Sequence, residues 1–198
     1  MHWLDPDYLP ATKGQVKQLL INAHGEADGF ILSDGTEVHF PPHMGAEIEA
    51  RVVLGDEISV RGAKPRGADL IAAVAIDIAG GHRIDDKGPP DDEKDQEEGH
   101  AKPKGELMEH EGVVVRTLHG PKGEVRAALF EDGITVRFPK HEADRILDLI
   151  VPGAVLAVRG RGLRIAAGTV IDAREAGSSL QDLQHLKKKS EPVDGTGT

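Results

Sequence analysis

Apolar residues along this chain recur in short alternating runs, not in long helical stripes, and the pattern predicts mostly strands. Residues 16–21, 29–32, 37–40, 57–61 and 70–78 read as five strands. In the third, Val38 and Phe40 alternate against Glu37 and His39, as a half-buried strand requires. Residues 22–26 form a turn, and Asp34-Gly35 is a hairpin signal because glycine accepts the positive φ of a tight turn. Pro41-Pro42 stops the third strand, since proline cannot donate to a ladder. Residues 43–52 then predict a helix that ends before Gly55.

The same pattern occurs twice. Setting residue i against residue i+98 aligns 14–62 with 112–160 without a gap, and 17 of the 49 positions are identical. Gly25-Glu26 matches Gly123-Glu124, and Asp34-Gly35 matches Asp132-Gly133. Val38, Phe40, Pro41 and His43 match Val136, Phe138, Pro139 and His141. Val60-Arg61-Gly62 matches Val158-Arg159-Gly160. Beyond this, Ile71-Ala72-Ala73 is set against Ile165-Ala166-Ala167, which makes the second copy about four residues shorter. The chain is read as a tandem duplication.

Three meandering strands, a helix and two further strands in each copy resemble the OB-fold, a five-stranded Greek-key barrel. An SH3-like barrel is the rival, though it usually lacks a helix at that point. The segment from Asp34-Gly35 through Phe40-Pro41-Pro42-His43 is similar to small bacterial OB-type nucleic-acid-binding domains. The expected fold class is therefore mainly β, with two five-stranded OB-type barrels, each with a short helix between strands 3 and 4. The expected organisation is an arm at 1–12, barrel 1 at 13–79, an acidic disordered linker at 80–111, barrel 2 at 112–175, and a short helix with a loose tail at 176–198. Leu180, Leu183 and Leu186 recur every three residues in that last helix, with Lys187-Lys188-Lys189 at its end.

Composition sharpens this outline. The net charge is −10, but residues 85–111 hold 4 basic and 11 acidic side chains, residues 13–78 hold 6 and 10, and residues 112–174 hold 10 and 7. The acidity thus concentrates between the copies, and the second copy is mildly basic. There is no cysteine, which excludes disulfides and cysteine-zinc sites. The N-terminal residues do not read as a secretory signal, and no run approaches the length of a membrane span, so a cytoplasmic protein without a membrane partner is expected.

Candidate chemistry follows from the placement of charged and aromatic residues. Neither copy shows a nucleophile, base and orienting group together, so no enzyme and no cofactor are expected. His24, His39 and His43 of the first copy are a weak alternative metal site; the second copy puts Lys122 and Arg137 where His24 and His39 stand. His43 and His141 recur and suit a local hydrogen-bonding role instead. In an OB-fold the ligand crosses strands two and three and is flanked by the first and last loops. The second copy places Lys122, Arg126, Arg137, Lys140, Arg159, Arg161 and Arg164 there. The first copy has Asp28, His39 and Pro42 in place of Arg126, Arg137 and Lys140. Such cations neutralise phosphates. Aromatic side chains are only 3% of the chain, and Phe40 and Phe138 fall on the core side, so base stacking is scarce. The expectation is a weak, salt-sensitive binder of single-stranded DNA or RNA through barrel 2. The alternatives are a protein-interaction module and a small-ligand or metal binder at barrel 1.

Overall fold

The computed structural model describes residues 5–65, 69–88, 105–120, 123–139 and 142–186. In the first copy the elements are β1 (Ala11–Ile21), β2 (Ala27–Leu32), β3 (Glu37–His39), α1 (Pro42–Arg51), β4 (Glu57–Ala63), β5 (Leu70–Ile78) and β6 (His82–Asp85). In the second they are β7 (Glu106–His119), β8 (Val125–Phe130), β9 (Thr135–Arg137), β10 (Val155–Ile165), β11 (Gly168–Gly177) and β12 (Gln184–His185).

Each copy closes into a five-stranded barrel. Strand order runs β3-β2-β1-β4-β5, and a parallel pairing of β3 with β5 closes the ring. The second copy repeats this with β9-β8-β7-β10-β11, closed by the parallel pairing of β9 with β11. The sixth strand of each copy adds to the far end of the fifth. Closure leaves the five barrel strands without a free ladder between them. Each barrel has its own core. Phe30, Phe40, Val38, Ile48 and Ile76 fill the first; Phe130, Phe138, Val136, Leu156 and Ile171 fill the second.

The duplication is visible in the pairing itself. Gln18 faces Ile31 as Arg116 faces Leu129, and Gly29 faces His39 as Ala127 faces Arg137, all at an offset of 98. The offset then changes in the direction opposite to the one expected. Val38 pairs with Ile71, while Val136 pairs with Ile171, so the offset becomes 100 and the second copy is two residues longer through its last hairpin. Ile165 instead faces Gly168 at the tip of the β10–β11 hairpin.

The shared Val-Arg-Gly motif has a backbone reason. The β4–β5 register slips between Arg61 and Gly62, and the β10–β11 register slips between Arg159 and Gly160. A Cβ on Gly62 would sit 2.2 Å from the Ala72 carbonyl oxygen, and one on Gly160 would sit 2.1 Å from that of Asp172. Only glycine permits that approach of two backbones at a bulge.

Two further expectations are corrected. Among the described residues, the helix between strands 3 and 4 is found only in barrel 1, where Pro42 opens α1 and Ile48 accepts the Val52 N–H at its end. Barrel 2 has two 3-10 turns, Ala143–Arg145 and Leu147–Leu149. Asp144, Asp148 and the β-branched Ile150-Val151 before Pro152 are poorer helix formers than the Ala46, Glu47, Glu49 and Ala50 of barrel 1. The leucine-spaced helix after residue 176 is replaced by a turn closed by the Asp182 N–H on Ser179 O, followed by β12. Leu186 is buried in the core of barrel 2 instead of lining a helix. Most of the acidic linker (residues 89–104) and the lysine-rich tail lie outside the described residues.

Candidate nucleic-acid interface

In each barrel the interior side of the second strand carries the core phenylalanine, and the neighbouring positions point outward. Leu20, Gly29, Ile31, Glu37 and His39 form the outer face of β1–β2–β3; Leu118, Ala127, Leu129, Thr135 and Arg137 form that of β7–β8–β9. These are the faces expected to carry a ligand. They are packed against one another. Leu20 and Ile31 of barrel 1 form one buried cluster with Leu118, Ala127 and Leu129 of barrel 2. None of the five belongs to either barrel's own core.

Polar contacts surround this apolar centre with approximate two-fold symmetry. Gln18 Nε2 donates to Gly133 O at 3.0 Å. Arg116, the counterpart of Gln18, extends over Gly35, the counterpart of Gly133: a Cβ there would sit 2.6 Å from Arg116 Nη2. The His119 N–H donates to Glu37 Oε1 at 3.0 Å, and Arg137 Nη2 donates to Asp28 Oδ2 at 2.6 Å. The Arg137–Asp28 pair is incompletely satisfied. Arg137 Nε and Asp28 Oδ1 are buried without a hydrogen-bond partner among the described residues.

Glu37 is the most buried acid of this interface, only 1% exposed. His39 Nε2 lies 2.7 Å from its Oε1, and His119 Nδ1 lies 3.4 Å from its Oε2. Burial pushes its carboxyl up, but the bonds from His39 and from the His119 amide outweigh burial and hold it below the ordinary 4.5. A carboxylate with a lowered folded value stabilises above its unfolded value and loses that contribution as pH falls. The docked form should therefore weaken as pH drops below about 4.5, while His39 and His119 still face the site. Melting curves of Glu37→Gln against the unaltered protein check this: the variant should melt lower at neutral pH and lose less on acidification.

The remaining cations are distributed unevenly. Arg159 bonds Glu109 at 2.6 Å and Glu175 at 2.7 Å, so it clamps three strands of barrel 2. The bond to Glu109 raises its affinity for its proton. Arg61 of barrel 1 makes a similar pair with Asp77 at 3.0 Å. Arg126 pairs with Glu124 at 3.2 Å. Arg161 is exposed and donates to the Gly105 carbonyl at 2.9 Å. Arg164 is exposed at the tip of the β10–β11 hairpin. Neither has a carboxylate partner among the described residues. Lys122 and Lys140 lie outside the described residues.

That hairpin reaches barrel 1. A Cβ on Gly25, in the β1–β2 turn, would sit 3.5 Å from Leu163 Cδ1, and one on Gly168 would sit 3.3 Å from Ile21 Cδ1. Arg161 and Arg164 thus stand at the rim of the closed faces. The length of the hairpin was hidden by the identical letters of Ile71-Ala72-Ala73 and Ile165-Ala166-Ala167.

The three histidines of the alternative metal site are not brought together. His24 is exposed in the β1–β2 turn, its backbone N–H on Asn22 Oδ1. His39 is held by Glu37, and His43 Nε2 lies 2.8 Å from Asp86 Oδ1, beyond β6. Among the described residues no group of three or more such side chains is arranged to hold a metal ion. The physical reason is that each imidazole with a partner spends its accessible nitrogen on a different carboxylate. His43 thereby joins α1 to the segment after β6; His141 lies outside the described residues.

No family model matches the chain, and no curated protein matches it. Among solved structures, the chain is similar to a deletion variant of the single-stranded DNA binding protein from Thermus aquaticus, with 15% identity and a TM-score of 0.26 over 93% of this chain and 96% of that one. The wild-type form of that protein aligns at 15% identity and a TM-score of 0.26 over 91% and 93%. At such a score the architecture described above rests on this chain's own strand pairings. No helix of the described residues is long and apolar enough to cross a membrane.

Proposed function

We propose that this chain is a non-catalytic tandem OB-type protein that binds single-stranded nucleic acid weakly and with strong salt dependence. The observation that carries this reading is the β10–β11 hairpin of barrel 2. It is longer than its counterpart, projects at the rim of the paired faces, and presents Arg161 and Arg164 exposed and, among the described residues, without carboxylate partners. In the sequence, Lys122 and Lys140 flank the second and third strands of barrel 2 and Arg126 lies near the start of the second, so they add positive charge to the same copy. Arg137 belongs to the site only when the barrels separate. Arg159 acts in the proposal as the clamp that fixes the base of the hairpin.

Contacts to phosphate from such a rim position a strand without reading its sequence. With so few aromatics, stacking adds little, and DNA and RNA are bound alike. Polarisation titrations of labelled oligothymidylate and oligouridylate test this. Arg161→Ala with Arg164→Ala should lower affinity roughly tenfold at low salt, taking about 0.7 kcal/mol for each exposed contact. The slope of log affinity against log salt should fall by about 1.4, because each lost phosphate contact removes about 0.7. Equal binding by the double variant and the unaltered protein would refute the hairpin site.

A second reading, docking of a protein partner, is favoured by one observation. Val113 and Val115 of β7 and Val155 of β10 are exposed side by side on the outside of barrel 2, where barrel 1 has Gln15, Lys17 and Glu57. Val115→Lys with Val155→Glu should leave oligonucleotide titrations unchanged. If sedimentation shows concentration-dependent association that this variant abolishes, the strip is an interface.

A further inference from the structure

The Arg137–Asp28 contact sits in the middle of the two expected ligand faces and is a poor ion pair for its position. It makes one bond at 2.6 Å, while Arg137 Nε and Asp28 Oδ1 remain buried without partners among the described residues. An arginine fork is satisfied by two parallel bonds to one carboxylate or phosphate. Charges removed from water and only partly paired cost free energy. The residues around it are complementary between copies, not identical: Asp28 stands where barrel 2 has Arg126, and His39 stands where barrel 2 has Arg137. Two copies of barrel 2 facing each other would set Arg137 against Arg126. Barrel 1 against barrel 2 sets Arg137 against Asp28.

We propose that barrel 1 is an intramolecular inhibitor of barrel 2, with the Asp28 carboxylate occupying on Arg137 the place of a nucleic-acid phosphate. The inference rests on the single-strand reading above and deepens it. In the closed form only the hairpin rim is open to a strand. When the faces part, Arg137 gains both bonds of its fork from phosphate oxygens, and the outer face of β8 and β9 becomes available. Leu20, Ile31, Leu118, Ala127 and Leu129 give the closed form its apolar adhesion. The strand therefore competes with Asp28 for Arg137, and its apparent affinity is reduced by the fraction of molecules that are closed.

The chain has no cysteine, so Glu57→Cys with Asp148→Cys places one dye on the exposed outside of each barrel. Energy transfer between them reads closure in the free full-length protein, and the same sample is titrated with oligothymidylate. Asp28→Ala should lower transfer without ligand and tighten oligothymidylate binding by about tenfold, within the range typical of coupled sites. The exchanged pair, Asp28→Arg with Arg137→Asp, should restore transfer to the original level without the gain in affinity, which separates release of the clasp from general damage. Oligothymidylate should lower transfer in the unaltered protein. Binding that is the same in Asp28→Ala and the unaltered protein, with transfer unchanged, overturns the inhibition while leaving the hairpin site standing. Absence of oligothymidylate binding in every variant, even with transfer lowered, overturns the single-strand reading and the competition with it.

Discussion

Leu118→Asp is expected to separate the two barrels while leaving each one folded. Leu118 is 2% exposed and lies in the inter-barrel cluster with Leu20, Ile31, Ala127 and Leu129. A carboxylate there has no cation facing it within that cluster, and an unpaired buried charge costs at least about 3 kcal/mol. Undocking returns the charge to water, so the chain escapes the cost by opening. Leu118 is absent from the core of barrel 2, which Phe130, Val136 and Leu156 fill, and the barrel itself loses little. Small-angle scattering should show a larger radius of gyration, and calorimetry should resolve two transitions. A scattering profile like that of the unaltered protein would show that the faces are not held by this cluster.

Gly160→Val should have an effect of similar size, confined to barrel 2. The added Cβ would meet the Asp172 carbonyl oxygen at 2.1 Å, and that atom belongs to backbone on the neighbouring strand. No rotamer change relieves the clash, so β10 and β11 must part at the bulge. The expected loss is about 4 kcal/mol, close to the whole stability of a small domain. Gly62→Val, with its Cβ 2.2 Å from the Ala72 carbonyl oxygen, should do the same to barrel 1. In each variant one barrel melts early and the other holds. If Gly160→Val melted like the unaltered chain, the shared Val-Arg-Gly motif would have no backbone role.

These two substitutions mark what the sequence showed and what it concealed. Elements governed by local chemistry were legible. Gly35 and Gly133 sit at φ +89 and +85 in the hairpins that Asp-Gly announced. The strand at 70–78 and the burial of Phe40 and Phe138 follow from alternation alone. The docking of the barrels was not legible, because it depends on residues far apart in the chain. Its signal was nevertheless present: Leu20 and Leu118 are identical and apolar on the outward side of both copies. The exchange of Asp28 for Arg126 and of His39 for Arg137 reads, along the sequence, as a gathering of cations in barrel 2. In space one of those cations meets the acid left behind in barrel 1.

The last hairpin shows a different limit. Three matching letters favoured a shorter second copy, whereas strand pairing makes it two residues longer. Alternation alone does not set how far a hairpin extends, and the register here is carried by the cross-strand pairing of Val136 with Ile171. The β12 segment failed for a related reason. Leucines three apart fit a helix, but Leu186 is instead taken into the core of barrel 2 beside a pairing with β11.

The most direct measurement is amide hydrogen exchange at His119, with and without oligothymidylate. That N–H donates across the interface to the Glu37 carboxylate, so its protection reports closure of the faces. It should be protected in the free full-length protein and lose protection when the strand binds. Fast exchange in the free protein, or protection unchanged with the strand bound, would contradict the closed-face account.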